Sequence, residues 1–345
     1  MSLSFPSFGV ISVCCEDEFA DLTIMCHGKR FNVSFPVENL RGPQSEGESL
    51  EQKFSTFREE LDDDPAALNY FEEWVVEACI PILRQLAPAR KNSDPPLLQE
   101  YFNPTTVFLT LKNMDGRLEA MLIPDKSQLP DGIVPRISMP NDLASLLYSH
   151  SIPCFPASEV RMVLRRGDDE KDFEIEEMPQ IVEIASGNHG PDPNRQYCFK
   201  PAFEEQSFQR EVRALLRIKN NLPAESRVSS LAGLVMYEDG VTIMGLLIDY
   251  LHDSQTLDTI MWNNPSKSER EKWAQQIQDT ITKLHSIDVI WGDVKPDNVL
   301  VDSGGNAVVI DFGGGFARGW GEKESSGTME GDWSGFERIK DFLGL

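Results

Sequence analysis

The chain has 345 residues, of which 40% are hydrophobic and 26% charged, a composition typical of a globular protein long enough for two domains. Its 56 acidic residues exceed its 32 basic ones and give a formal charge of −24. Phosphates of nucleic acids and anionic lipids are bound through lysine and arginine, so this charge argues against nucleic acid as a partner.

The sequence also gives an expectation for the compartment. No apolar run approaches the length that spans a bilayer, and the amino terminus lacks the basic start and apolar core of a signal peptide. The six cysteines are scattered and form no Cys-x-x-Cys pair, which predicts reduced thiols. We therefore expect no membrane insertion and a cytoplasmic protein, with the nucleus as the alternative compartment.

Residues 1–155 are predicted to form an α+β region. The predicted elements are strands at 21–26 and 30–35, a helix at 66–86, and a hairpin at 106–112 and 117–123. The hairpin is indicated by Asp115-Gly116 between two apolar runs. Pro81 is expected to kink the helix or end it early, and residues 124–140, with four prolines, are read as a linker.

The next part of the chain, residues 156–251, is dominated by strand-like segments. Five strands are predicted, at 159–164, 180–184, 196–200, 231–237 and 241–248. A helix at 208–218 follows the third strand. Residues 252–345 then begin with a helix that is predicted to be capped by Ser268 and to continue to Leu284.

Two short apolar runs, 298–301 and 307–310, flank a turn at 302–306 and predict a second hairpin. Such a hairpin brings four polar residues to one end, namely Asp293, Lys295, Asn298 and Asp311. A carboxylate for an attacking hydroxyl, a cation for a phosphate and oxygen ligands for Mg²⁺ are what phosphoryl transfer requires. Any one of these residues alone is equally well explained as a turn residue or a solvated charge.

The motif Asp-Val-Lys-Pro-Asp-Asn at 293–298, followed by Asp-Phe-Gly at 311–313, resembles the catalytic loop and metal-binding motif of the protein-kinase superfamily. The resemblance implies an α+β, two-lobed fold. A five-stranded N-lobe would occupy residues 156–251, a short and mainly helical C-lobe residues 252–345, and an accessory region residues 1–155. The sequence Trp-Gly-Asp at 291–293 also resembles the corresponding motif of uncharacterised kinase-like proteins of filamentous fungi.

The resemblance implies a role for each polar residue of the motifs. Asp293 would orient the acceptor hydroxyl and accept its proton, and Lys295 would steady the γ-phosphate of ATP. Asn298 and Asp311 would hold Mg²⁺.

Four residues of the small lobe complete the implied site. Lys200, at the end of the third strand, would hold the α- and β-phosphates and would be oriented by Glu211 of the following helix. The backbone of residues 249–251, including Asp249 and Leu251, would face adenine.

The chain departs from the family pattern at several positions. Trp291-Gly292 replaces His-Arg before the aspartate, so control by phosphorylation of an activation loop is not expected. The loop at 165–172 has one glycine and four acids, which disfavours phosphate there and predicts weak nucleotide binding. No Ala-Pro-Glu follows Asp311, and Asp332, at the start of a last helix, is expected to accept hydrogen bonds from the catalytic loop.

The resulting expectation is an ATP- and Mg²⁺-dependent phosphotransferase. The short C-lobe favours a small molecule or a specialised protein hydroxyl as the acceptor. Two alternatives stay open: a catalytically silent pseudokinase that binds partners, and a kinase fold used for nucleotidyl transfer or carboxylate activation.

Overall fold

A computed structural model describes residues 8–43, 47–61, 64–88, 95–124, 133–163, 180–185, 195–223, 225–314 and 327–345. The chain divides into two compact units. The first comprises Met1–Val134 and Arg161–Pro179, and the second comprises Pro135–Val160 and Gln180–Leu345. The predicted loop at 165–172 lies outside the described residues.

The first unit is built on a five-stranded sheet. Its elements are β1 (Phe8–Cys15), β2 (Phe19–Cys26), β3 (Lys29–Pro36), α1 (Leu50–Glu60), α2 (Pro65–Leu86), α3 (Leu98–Phe102), β4 (Thr106–Met114) and β5 (Arg117–Leu122). The strand order is β1-β2-β3-β4-β5, with β3 and β4 parallel and the other pairs antiparallel. The predicted strand pairs β2–β3 and β4–β5 are confirmed, whereas β1 was not predicted.

Two of the three hairpins of this sheet turn through two residues with positive φ. His27 (φ 46°) and Gly28 (φ 76°) connect β2 to β3, and Asp115 (φ 52°) and Gly116 (φ 82°) connect β4 to β5. Positive φ at both central positions gives a turn whose twist matches the right-handed twist of the strands. The Asp-Gly signal in the sequence therefore indicated the correct turn.

Helix α2 continues past Pro81. Its N-terminus is fixed by Asp64, whose side chain accepts a hydrogen bond of 2.9 Å from the backbone N–H of Ala66. Pro81 itself is exposed, while Cys79 and Leu83 on the opposite side are fully buried. Burial of the apolar face outweighs the missing backbone donor, so the expected early end at Pro81 is wrong.

The second unit includes most of residues 156–345, for which the two kinase-like lobes were predicted. Its strands are β6 (Ile137–Ser138), β7 (Cys154–Pro156), β9 (Ile181–Ile184), β10 (Gln196–Pro201), β11 (Leu231–Met236), β12 (Thr242–Asp249), β13 (Gln255–Thr256), β14 (Val299–Val301) and β15 (Ala307–Val309), and β8 (Val160–Met162) begins in this unit and ends in the first. Its helices are α4 (Asn141–Ser149), α5 (Glu205–Asn221), α6 (Leu257–Ile260), α7 (Lys267–Ser286) and α8 (Met329–Leu343). Short 3₁₀ turns are formed at Val37–Leu40, Ala157–Glu159, Met261–Asn263 and Pro296–Asn298.

The main sheet has seven strands rather than the predicted five. Its order is β7-β11-β12-β10-β9-β8, and β6 pairs with β12. All five predicted strands are present. Strands β6 and β7 are additional, and they have only two and three residues. Segments this short carry too little alternation of apolar and polar residues to be recognised in a sequence, and β6 falls in the predicted linker.

Helix α7 begins two residues earlier than expected. The N-cap is Ser266, not Ser268, because a capping box forms with Glu269. The Glu269 N–H donates to Ser266 Oγ at 3.3 Å, and the Ser266 N–H donates to Glu269 Oε2 at 2.8 Å. Two backbone donors of the first turn are satisfied in this way, which only a Glu or Gln three residues after the cap allows.

The core of the second unit surrounds α7. Trp273, Ile277 and Ile281 of α7 are buried together with Phe336 and Ile339 of α8. The same cluster includes the buried residues of α5 and of strands β11, β12, β14 and β15. None of the helices in the described part of the chain is long and apolar enough to cross a bilayer.

We predict that Pro81→Ala stabilises the first unit. Alanine restores the backbone donor and removes the ring clash inside α2, and a helix-interior proline is about 3 kcal/mol less favourable than alanine. Urea unfolding should show a gain of roughly 1 kcal/mol or more. Gln85→Ala, on the exposed side of the same helix, should stay within about 0.5 kcal/mol of the wild type. An unchanged or lower midpoint for Pro81→Ala would contradict this account.

Candidate active site

The site is built on the predicted hairpin of β14 and β15, which pair antiparallel with Val299 opposite Val309. The turn is closed by Asp302, whose backbone N–H donates to the carbonyl of Asn306 at 2.9 Å and whose Oδ1 accepts the Asn306 N–H at 2.8 Å. The catalytic loop precedes β14 and Asp311 follows β15. The sequence prediction that this hairpin brings the polar residues to one end is confirmed.

Lys200 lies between two carboxylates. Its Nζ is 2.7 Å from Glu211 Oε2 and 2.7 Å from Asp311 Oδ1. The Glu211 side chain is only 1% exposed, whereas those of Lys200 and Asp311 are 34% and 32% exposed. The ammonium group therefore joins β10, α5 and the end of β15 at one point.

The electrostatics of this cluster keep Lys200 charged. Burial lowers the pKa of Lys200, but the carboxylates of Glu211 and Asp311 outweigh burial and raise this pKa above its ordinary value. Burial raises the pKa of Glu211, and Lys200 opposes this effect. A protonated lysine at the mouth of the cluster is suited to binding an anion.

The catalytic loop forms a second polar cluster. Asp293 Oδ2 accepts from Lys295 Nζ at 2.7 Å and from Asn298 Nδ2 at 2.9 Å. Asn298 Nδ2 also donates to the backbone carbonyl of Asp293 at 2.8 Å. Both donors of the Asn298 amide are therefore used, and its Oδ1 is left to act as an acceptor or a metal ligand.

Two buried groups hold the catalytic loop in place. Asp332 of α8, 1% exposed, accepts from the backbone N–H groups of Trp291 at 2.9 Å and Gly292 at 2.8 Å, as the sequence predicted. Its Oδ2 is also 2.8 Å from His285 Nε2. The Trp291 indole is fully buried and donates to the carbonyl of Ile310 at 2.9 Å. The loop is thus tied both to α8 and to the residue before Asp311.

The backbone at Asp311 is in the left-handed region, with φ 62°. This conformation is uncommon for a residue with a side chain and places the carboxylate toward Lys200. Asp311 Oδ1 also accepts from the backbone N–H of Gly313 at 3.1 Å. A Cβ on Gly313 would come within 2.5 Å of Ser207 Oγ, so the glycine allows α5 to approach closely.

The residues expected to face adenine are at the end of β12. Asp249 pairs with Tyr197 of β10, and its carboxylate accepts from Arg195 Nη2 at 2.6 Å. The carbonyl of Leu251 accepts from Ser254 Oγ at 2.8 Å. Both residues are half-buried, and their role toward a nucleotide stays a prediction.

The donor set fits a hard divalent cation that is bound together with phosphate. Asn298 offers one amide oxygen, and Asp311 offers the carboxylate oxygen that Lys200 does not contact. Mg²⁺ is usually bound through one or two protein oxygens, with water and phosphate supplying the rest. No cluster of three or more His, Cys, Asp or Glu residues suited to a metal is found among the described residues.

Comparison with known proteins agrees with this geometry. Residues 196–338 match the family described as "Protein kinase domain", a stretch that covers less than half of the chain. It contains Lys200, Glu211, both motifs and Asp332. The match, together with the α+β architecture, supports the protein-kinase superfamily and a kinase-like fold.

Several relatives are serine/threonine kinases by name. "Serine/threonine-protein kinase GRIK2" of Arabidopsis thaliana is 29% identical over 181 residues, covering 46% of this chain and 42% of that protein. "CBL-interacting serine/threonine-protein kinase 8", also of Arabidopsis thaliana, is 36% identical over 69 residues, covering 20% of this chain and 16% of that protein. "Serine/threonine-protein kinase Sgk1-B" of Xenopus laevis is 24% identical over 106 residues, covering 30% and 24%. The chain spans less than half the length of each of these relatives.

We predict that Asp332→Ala destabilises the second unit by about 3 kcal/mol. The change leaves two backbone donors and His285 without their acceptor in a buried place, and each unsatisfied group costs roughly 1–3 kcal/mol. Asp332→Asn keeps one acceptor oxygen and should lose about half as much. The measurement is urea unfolding, with the exposed Asp341→Ala on the same helix as the matched control. Equal midpoints for Asp332→Ala and Asp341→Ala would show that the network is not stabilising.

Proposed function

We propose that this chain is an ATP- and Mg²⁺-dependent phosphotransferase whose acceptor is a hydroxyl of a small molecule or of a specialised protein. The observation that carries the proposal is the position of Lys200, 2.7 Å from both Glu211 and Asp311, at the same open end of the hairpin as the cluster of Asp293, Lys295 and Asn298. A metal triphosphate requires cations and oxygen ligands of this kind side by side. The serine/threonine kinase names of the relatives support the same class of reaction.

Each residue has a role that its contacts allow. Lys200, held by Glu211, would bind the α- and β-phosphates, and the backbone of 249–251 would face adenine. Asn298 and Asp311 would hold Mg²⁺, which supplies charge neutralisation on the phosphates. Positioning and electrostatic stabilisation account for most of the catalysis in this class of reaction, so a preformed cluster is its main requirement.

Asp293 would act on the acceptor. One of its oxygens is occupied by Lys295 and Asn298, so the other is available to the acceptor hydroxyl. In the transfer, the acceptor oxygen forms a bond to the γ-phosphorus and the bond from that phosphorus to the β–γ bridging oxygen breaks. The hydroxyl proton passes to Asp293, and the products are ADP and a phosphorylated acceptor.

A silent, nucleotide-binding pseudokinase is the second candidate. The acidic sequence of residues 165–172 and the replacement of His-Arg by Trp291-Gly292 favour it, because both depart from the pattern of active kinases. Nucleotidyl transfer or carboxylate activation would use the same metal–triphosphate contacts with attack at a different phosphorus. The products of the reaction separate all three candidates.

We also propose a cytoplasmic location, with the nucleus as the alternative. All six cysteines are free thiols in the structure, as in a reducing compartment. Burial raises the pKa of Cys79 to about 12, so this thiol is packed rather than reactive. From the resemblance of Trp-Gly-Asp at 291–293 to kinase-like proteins of filamentous fungi, we propose in addition that the protein is fungal.

We predict that Asp311→Ala abolishes turnover. The purified protein is incubated with ATP and Mg²⁺ and a cell extract as the source of acceptors, and the nucleotide products are measured by mass spectrometry. We expect Mg²⁺-dependent ADP formation, lowered at least about 100-fold in Asp311→Ala through loss of the metal ligand. Asp297→Ala, an exposed carboxylate of the same loop, should stay within about two-fold of the wild type.

Other products would point to the other candidates. AMP with pyrophosphate would replace phosphoryl transfer by nucleotidyl transfer or carboxylate activation. Tight binding of ATP without turnover would favour the pseudokinase. Full activity of Asp311→Ala would contradict the metal-ligand assignment itself.

A further inference from the structure

Arg210 lies where the two catalytic segments meet α5. It immediately precedes Glu211, and its guanidinium group lies against the backbone of Gly292 in the catalytic loop and of Gly314 after Asp-Phe-Gly. A Cβ on either glycine would overlap with this guanidinium. Gly327 is also near, since a Cβ there would be 3.9 Å from Arg210 Nη1. We call the surface formed by Gly292 and Gly314 the glycine cradle.

Both glycines of the cradle have a backbone that disfavours other residues. Gly292 has φ 87° and Gly314 has φ 74°. Glycine adopts a positive φ without steric cost, and because it has no side chain the guanidinium can approach its backbone closely. The absence of a Cβ and the backbone conformation therefore act together at both positions.

Arg210 is held in the cradle because its flat guanidinium group fits against the two glycines. Among the described residues, no carboxylate bonds to Arg210. The other two arginines of α5 differ, since Arg213 pairs with Asp142 and Arg217 pairs with Asp288 at 2.7 Å. A planar guanidinium can lie flat against peptide groups, whereas the tetrahedral ammonium of lysine cannot.

The cradle lies between α5 and the two segments that carry Asp293 and Asp311. Gly292 precedes Asp293, and its N–H is held from α8 by Asp332 at 2.8 Å. Gly314 follows Asp311 by three residues. A shift of Arg210 would therefore displace Glu211 on one side and the backbone beside both catalytic aspartates on the other.

We propose that Arg210 is a positioning residue that aligns α5 with the catalytic loop and with Asp311. It acts through the backbone of the glycine cradle and touches no reacting atom. The proposal also accounts for the unusual Gly292, because an arginine side chain from α5 fills the space that any other residue there would need. Its kinetic part rests on the proposed phosphotransferase function, and its structural part does not.

The first test separates positioning from folding. Arg210→Ala should lower kcat for ADP formation by about 10-fold, since small misplacements of catalytic groups have effects of this size. The thermal midpoint should stay within about 2 °C of the wild type, because Arg210 is only half-buried. Arg210→Lys should recover less than half of the lost rate. Arg217→Ala, an exposed arginine of the same helix, should leave kcat unchanged. A lower midpoint with an unchanged kcat would overturn the proposal in favour of a purely structural role.

The second test is a double-mutant cycle. Gly292→Ala should displace the guanidinium and lower kcat, but in the Arg210→Ala background the same change should have less than about one-third of that effect. The backbone strain of an alanine at position 292 is present in both backgrounds, so it cancels from the difference between the two effects. Gly240→Ala, at φ 67° with no atom within 4 Å of its Cβ, shows in its thermal midpoint what an alanine at positive φ costs when no contact is lost. Equal effects of Gly292→Ala in both backgrounds would overturn the proposal.

The cycle remains decisive if the wild type makes no ADP. That result would refute the phosphotransferase function, and the cycle would then be measured as the dissociation constant of Mg·ATP by calorimetry. Because Arg210 places Glu211, and through it Lys200, the proposal expects the same non-additive pattern in binding. Additive dissociation constants would overturn it independently of turnover.

Discussion

The site depends on the ion pair between Lys200 and Glu211. A carboxylate that is 1% exposed is strongly disfavoured unless a cation compensates it, and here the Lys200 ammonium lies 2.7 Å from Glu211. Because Lys200 is on β10 and Glu211 on α5, the pair fixes the helix against the sheet. Asp311 binds the same ammonium at 2.7 Å, so the hairpin is joined to both elements. One buried charge thereby sets the relative positions of three segments.

The residues that hold the catalytic loop differ from those that would do chemistry. Asp332 and Trp291 are fully buried and satisfy backbone groups, whereas Asp293 and Lys295 are partly exposed at the opening. Trp291 fills the core and also donates a hydrogen bond to the carbonyl before Asp311. With Trp-Gly in place of His-Arg, this chain has a hydrogen bond between the two motifs and space for the Arg210 guanidinium beside Gly292.

The sequence predicted those features that leave a local pattern. Alternating apolar residues indicated five of the seven strands of the main sheet, and the resemblance to the kinase family implied that Glu211 would meet Lys200, from which it is 2.7 Å away. The parallel pairing of β3 with β4 was not predicted, because some seventy residues separate the two strands and no local signal records their contact. The contact of Arg210 with two glycines was missed for the same reason. The available hint in the sequence was a glycine beside each motif, at Gly292 and Gly314.

The contact between Lys200 and Asp311 does not by itself argue for a silent site. An ammonium group has three donors, and the two carboxylates use two of them, which leaves one for a phosphate oxygen. Asp311 has two oxygens, and both described contacts, from Lys200 and from the N–H of Gly313, go to Oδ1. Its Oδ2 is left for a cation, and so is the amide oxygen of Asn298, because the Asn298 contacts use only its Nδ2. The ion pair therefore orients Asp311 without consuming the oxygen that a metal would need, so the same geometry that closes the cluster also prepares it for a metal nucleotide.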